Sequence, residues 1–187
     1  KYIFWLKNYY YVGGMPEIVQ YFAEHKNYQE VRRMQRSILD QYEDDFGKHA
    51  SSADLARIRM VWNSIPMQLA KENKKFFFGQ IKTGARMKDF EIAIEWLLDC
   101  GLITKVNRVS KPAMPLKAYI DIAAFKLFLL DVGLLGAMSE LDAQSILEGS
   151  DIFVEFKGAL TEQFVLQELR AETEYTPYYY ATDTATF

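Results

Sequence analysis

Apolar residues recur at helical spacing along most of this chain and give way to strand-like runs at only a few points. Tyr2 to Tyr11 predicts an aromatic-rich helix that Gly13-Gly14 stops. Pro16 suits the first turn of a second helix over Pro16–His25, because a first turn leaves its N–H groups unbonded anyway. Asn27, with Glu30 three residues on, reads as the cap of a third helix. Its apolar stripe is Val31, Met34, Ile38, Leu39, Tyr42 and Phe46, which leaves Arg32, Arg33, Arg36, Glu43 and Asp44 outward.

Ser51-Ser52 open a new segment in which Leu55, Ile58, Val61, Trp62 and Ile65 make one apolar face. Pro66 predicts a break before a short helix over Met67–Ala70. A further helix runs from Met87 to Cys100, with Gly101 as its left-handed cap. Leu102 to Val106 reads as a strand, the KPAMP turn (Lys111 to Pro115) follows, and Ala118–Ile120 and Phe125–Leu130 supply the returning strand. Helix, helix, helix, strand, turn, strand is the order of a winged helix. Short helices over Val132–Met138 and Asp142–Glu148 lead to Asp151, read as the cap of a long helix through Leu169, and Tyr175–Tyr180 reads as an aromatic strand. The pattern therefore predicts an α+β chain, mostly helical.

Composition narrows this picture. Half of the 187 residues are hydrophobic and 15% aromatic, enough for a sizeable core. The longest apolar run, Ile122 to Leu130, is interrupted by Lys126 and too short to span a bilayer. KYIFWLKNYY lacks the aliphatic core and cleavage site of a signal peptide, and with no initiator Met it reads as the start of an excised piece. The one cysteine, Cys100, excludes an internal disulfide and is expected to be a buried, inert thiol in a reducing, cytoplasmic setting. The net charge of -3 conceals a gradient: residues 71–126 hold 11 Lys and Arg against 6 Asp and Glu, whereas residues 140–187 hold 10 acidic residues against Lys157 and Arg170. A basic middle can meet phosphate or an acidic neighbour.

The candidate chemistry is sparse. Gly79-Gln80-Ile81-Lys82-Thr83-Gly84 has the glycine spacing of a phosphate loop, but Ala85-Arg86 stand where Lys and then Ser or Thr are needed. The chain lacks Walker motifs. Lys74, Lys75, Lys82, Arg86 and Lys88, with Arg108 and Lys111 on the wing, are candidate nucleic-acid contacts. The third winged-helix helix, however, buries Phe90, Ala93, Ile94, Leu97 and Leu98 and turns Glu91, Glu95 and Asp99 outward, which would repel phosphate. Ile92 and Trp96, one turn apart on it, are candidate protein contacts. Glu155, Gly158 and Glu162 share a face of the long helix, so Glu162 leans toward apolar surroundings, where a carboxylate is either paired or held for a metal. His25 and His49 lack partners at ligand spacing and read as surface residues.

The segments VGGMPEIV, VRRMQRSILDQYEDDF, IRMVWNSIPMQLAKENKKF, KPAMPLKAYIDIAAFKLFLLDVGLLGAM and EFKGALTEQFVLQEL together resemble the C-terminal half of AAA-type bacterial and archaeal ATPases of poorly known function. In that family an ATPase core precedes the VGGMPE segment, and a winged helix and a restriction-endonuclease-like fold follow. The resemblance implies a helical lid over residues 1–50, a winged helix over 51–139 and an incomplete PD-(D/E)XK-like domain over 140–187, with Glu162 at the acidic position of that fold's first helix. No cofactor is expected in this chain, and ATP and Mg²⁺ are implied for the intact protein. The expected role is a non-catalytic regulatory or partner-binding region. The alternatives are a DNA-binding winged helix and a truncated metal-dependent nuclease-like domain. The expected partners are the ATPase core of the same protein, DNA and a second copy of the chain, with no membrane.

Overall fold

The computed structural model describes residues 2–71, 75–149 and 154–182. Eight α-helices and three strands follow one another in it. The first three helices are α1 (Tyr2–Val12), α2 (Pro16–His25) and α3 (Tyr28–His49). Gly13 takes φ +75, a left-handed backbone that ends α1, and the Asn27 side chain accepts the amides of Gln29 and Glu30 to cap α3. The outer face expected of α3 is correct for Arg33 and Arg36 but wrong for Arg32, which is only 8% exposed. Its planar guanidinium lies over the Tyr11 ring, 4.3 Å from the centroid, and this stacking takes it inward.

α4 (Ser52–Ala70) is continuous through Pro66, so the expected break does not occur. A proline inside a helix costs about 3 kcal/mol. Here the turn carrying it is held from outside: Gln68 donates to the Phe77 carbonyl and accepts the Phe77 amide, both at 2.9 Å, while Ile65 and Leu69 are buried. The one-turn helix α5 (Phe78–Ile81) and α6 (Met87–Asp99) follow, and Gly101 at φ +71 reverses the chain as expected.

β1 (Ile103–Val109) and β2 (Ile120–Leu129) form an antiparallel hairpin in which Ile103 faces Leu129 and Val109 faces Ile120, with an irregularity at Asn107–Arg108. The returning strand is thus one ten-residue element, preceded by a 3₁₀ turn over Leu116–Tyr119. The aromatic strand is shorter than expected: β3 is Tyr178–Tyr179 alone, and Tyr175 is 85% exposed outside it. β3 pairs parallel to β1, giving the order β2-β1-β3 in a mixed three-stranded sheet. The outer edge of β2 is covered from two sides, since Phe76 donates its amide to Phe125 and the Gln163 side chain both accepts from and donates to the Leu129 backbone.

After β2 come α7 (Val132–Met138), a π-helical turn over Ser145–Gly149, and α8 (Val154–Glu172). The cap expected from Asp151 lies outside the described residues, and so do Lys74 and the side chain of Glu155. One contiguous apolar core runs from Tyr10 and Ile18 through Trp62, Leu97 and Phe125 to Leu160 and Tyr179. The chain is a mostly helical α+β structure with a small mixed sheet.

Candidate functional site

A buried polar hub joins the early and late parts of the chain. Asp131 caps α7 by accepting the Leu134 amide at 2.9 Å, and it accepts the Gly14 amide from the α1–α2 turn at 2.7 Å. Gln167 of α8 accepts the Val132 amide, donates to the Tyr9 hydroxyl and lies 3.3 Å from the Asp131 carboxylate. Gln35 of α3, fully buried, donates to the carbonyls of Tyr11 and Val12. Arg32 donates to Gln35 and to the carbonyls of Gly133 and Leu141. Burial raises the pKa of Asp131 against the pull of the amides that bond it. Burial, aided by Glu168 and Asp131, pushes Tyr9 up to about 12.

Sequence reading missed this hub. Its members lie far apart in the chain, and only two local signals point to it. Asp131 directly precedes the run VGLLGAM, where a capping acid belongs, and Gln163 and Gln167 stand one turn apart among apolar residues of α8. Gly13 and Gly133 mark the closest approaches. A Cβ on Gly13 would lie 2.2 Å from Asp131 Oδ1, and one on Gly133 would lie 2.6 Å from the Val12 carbonyl oxygen.

Glu162 is placed beside β2, where both of its carboxylate oxygens accept from Lys126 Nζ, at 2.8 and 2.9 Å. Lys126 also lies over the Tyr179 ring, 5.5 Å from the centroid. The pair sits at one end of a pocket of about 330 Å³ walled by Phe128, Leu166 and Tyr179. A single carboxylate already neutralised by a lysine is a poor Mg²⁺ donor set, and no cluster of three or more His, Cys, Asp or Glu occurs among the described residues. The residues do not fit a divalent cation.

The Gly79–Gly84 segment does not fit a triphosphate either. α5 occupies its start, no strand precedes it among the described residues, and Lys82 points to solvent. Lys75, Arg86, Lys88 and Lys111 are exposed, and Lys111 lies 5.9 Å from the Tyr119 ring centroid. Arg108 is committed elsewhere, to an ion pair with Asp121 that holds that carboxyl below its usual range. On α6, Glu91, Ile92, Glu95 and Asp99 are exposed, Ile92 to 68%. Trp96 is partly exposed and packs edge-on against Phe46 with centroids 5.5 Å apart. Cys100 is exposed rather than buried, since α6 ends at Asp99 and the Gly101 turn carries the chain away from the core. His25 and His49 are exposed.

Residues 3–145 match a family described as a domain of unknown function, DUF8612, and the chain belongs to that family. No curated protein matches the chain. No solved structure matches it. No helix among the described residues is long and apolar enough to cross a membrane.

Proposed function

We propose that this chain is a non-catalytic, partner-binding region of an AAA-type ATPase, and that its partner is the ATPase core of the same protein. The first turn of α1 carries this reading. Tyr2, Ile3, Phe4 and Trp5 are consecutive large apolar residues, exposed to 75, 67, 55 and 50%. Large apolar side chains exposed together on one helical turn are the kind of surface that a partner covers. The resemblance in VGGMPEIV places an ATPase core on the N-terminal side of that motif, and α1 is the element that leads into it. In this reading α4 to β2 form a winged helix, which the Phe76–Phe125 backbone bond supports by bringing the segment before α5 onto the hairpin edge. α8 and β3 open a nuclease-like fold whose Glu162 has a structural role. The test is the double variant Phe4→Ser/Trp5→Ser in the intact protein. ATP turnover is expected to change several-fold while the unfolding midpoint of the 187-residue chain stays the same. Unchanged turnover contradicts the reading.

DNA binding is the second reading, favoured by the exposure of Lys75, Lys82, Arg86, Lys88 and Lys111. The exposed Glu91, Glu95 and Asp99 on the helix that would enter the groove weigh against it, because they repel phosphate.

A further inference from the structure

On the far side of the hub, α3 and the loop of residues 140–144 enclose an open pocket of about 520 Å³, with Arg32 and Arg36 on one wall and Leu141 and Asp142 on the other. Arg32 is buried yet faces no carboxylate at bonding distance among the described residues. Among the described residues its hydrogen bonds go to neutral acceptors, namely Gln35 Oε1 and the carbonyls of Gly133 and Leu141. Its Nε is buried without any hydrogen-bond partner. Burial lowers its pKa, with Arg36 adding to that and Tyr11 and Asp142 opposing it. Arg36, one turn along α3, is exposed and makes no ion pair among the described residues. Two acidic residues also line the pocket. Asp142 directs one oxygen to the Ser145 amide and the other to the Ser145 hydroxyl, both at 2.7 Å, and Glu140 is exposed at the rim. Neither forms an ion pair with the two guanidinium groups.

We propose that this pocket binds an oxyanion, a phosphate or carboxylate group, between the guanidinium groups of Arg32 and Arg36. Three of the five N–H donors of Arg32 are already bonded and its Nε is buried, so Arg32 offers an anion its charge and one Nη2–H, while the exposed Arg36 supplies the planar fork that matches two oxygens of one anionic group. Arg32 is fixed in advance by Tyr11 and three acceptors, so it loses little freedom on binding. Arg36 closes over the anion from the solvent side. This site is separate from the α1 patch and does not depend on the role assigned to that patch.

The test is a titration of the ¹⁵N-labelled 187-residue chain with inorganic phosphate and, separately, with succinate, at constant ionic strength. Saturable amide shifts are expected at Arg36, Leu141, Asp142 and Ala143. Saturation by phosphate alone identifies a phosphoryl occupant, saturation by succinate alone identifies a carboxylate occupant, and either result supports the site. Arg36→Gln, an exposed change that leaves the Arg32 network intact, is expected to weaken binding about tenfold. Arg33→Gln, whose parent side chain pairs with Glu30 outside the pocket, is expected to leave it unchanged. If neither anion saturates, or if Arg36→Gln binds as the parent does, the proposal is overturned.

Discussion

The Asp131 carboxylate accepts the backbone amide of Gly14 at 2.7 Å across 117 residues of chain. One oxygen thereby holds the α1–α2 turn, while the other caps α7 through Leu134. Asparagine at 131 can offer only one acceptor oxygen and would set an N–H₂ group against the second backbone N–H. Leaving such a buried donor unmatched costs about 1–3 kcal/mol. Asp131→Asn is therefore expected to lower the unfolding free energy by that amount, read as a lower urea midpoint, and an unchanged midpoint would show that the contact is dispensable.

The same carboxyl sets a pH dependence. Its folded pKa lies above the ordinary carboxylate value, so at pH between the two values the folded state holds a proton there that the unfolded chain has released. The stability it contributes is complete below the ordinary value and is lost as pH rises through the folded value. Asp121 and Asp142, whose pKa values are lowered, act in the opposite sense and lose their contribution as pH falls. The difference in unfolding free energy between parent and Asp131→Asn is thus expected to decline with rising pH above the ordinary carboxylate range. A flat difference would contradict the assignment.

Glycine substitutions separate close packing from open surface. Gly13→Ala meets both a left-handed backbone and the Asp131 oxygen, and Gly133→Ala meets the Val12 carbonyl. Each is expected to cost about 2 kcal/mol or more. Gly47→Ala, late in α3 with no atom within 4 Å of the added carbon, is expected to stabilise by about 0.5–1 kcal/mol. Thermal unfolding of the three variants checks the order.

The ion pair on β2 joins unequal partners: the Lys126 side chain is 11% exposed and the Glu162 side chain 46%. Solvent screening reduces what the pair contributes, so Glu162→Gln is expected to cost no more than about 1 kcal/mol. Millimolar Mg²⁺ is expected to leave the parent midpoint unmoved. A Mg²⁺-dependent rise that Glu162→Gln abolishes would restore the metal reading.

Duplex DNA is expected to give no saturable shift at about 0.15 M salt, because the acidic α6 face opposes the basic residues around it. A tight complex that weakens steeply with added salt would assign those residues to nucleic acid.

What could be read from the sequence was local. Gly13-Gly14, Pro16, Asn27 and Gly101 each act within a few residues of themselves, and the helix ends they predict fall within a residue or two of those observed. Pro66 misled because the bonds that hold its turn come from Phe77, which the spacing of apolar residues does not reveal. Arg32 misled for a similar reason, as the Tyr11 ring and the carbonyls of Gly133 and Leu141 that make its burial tolerable come from distant parts of the chain. The partner of Glu162 lies 36 residues away on a strand, so the choice between pairing and metal binding could be posed from sequence but not decided.

The first turn of α1 offers the most direct test of the account. Hydroxyl-radical footprinting should compare Tyr2, Phe4 and Trp5 in the 187-residue chain with the same residues in the intact protein. The account predicts strong labelling in the chain and protection of several-fold or more in the intact protein, where the ATPase core covers the patch. Equal labelling in both would contradict it.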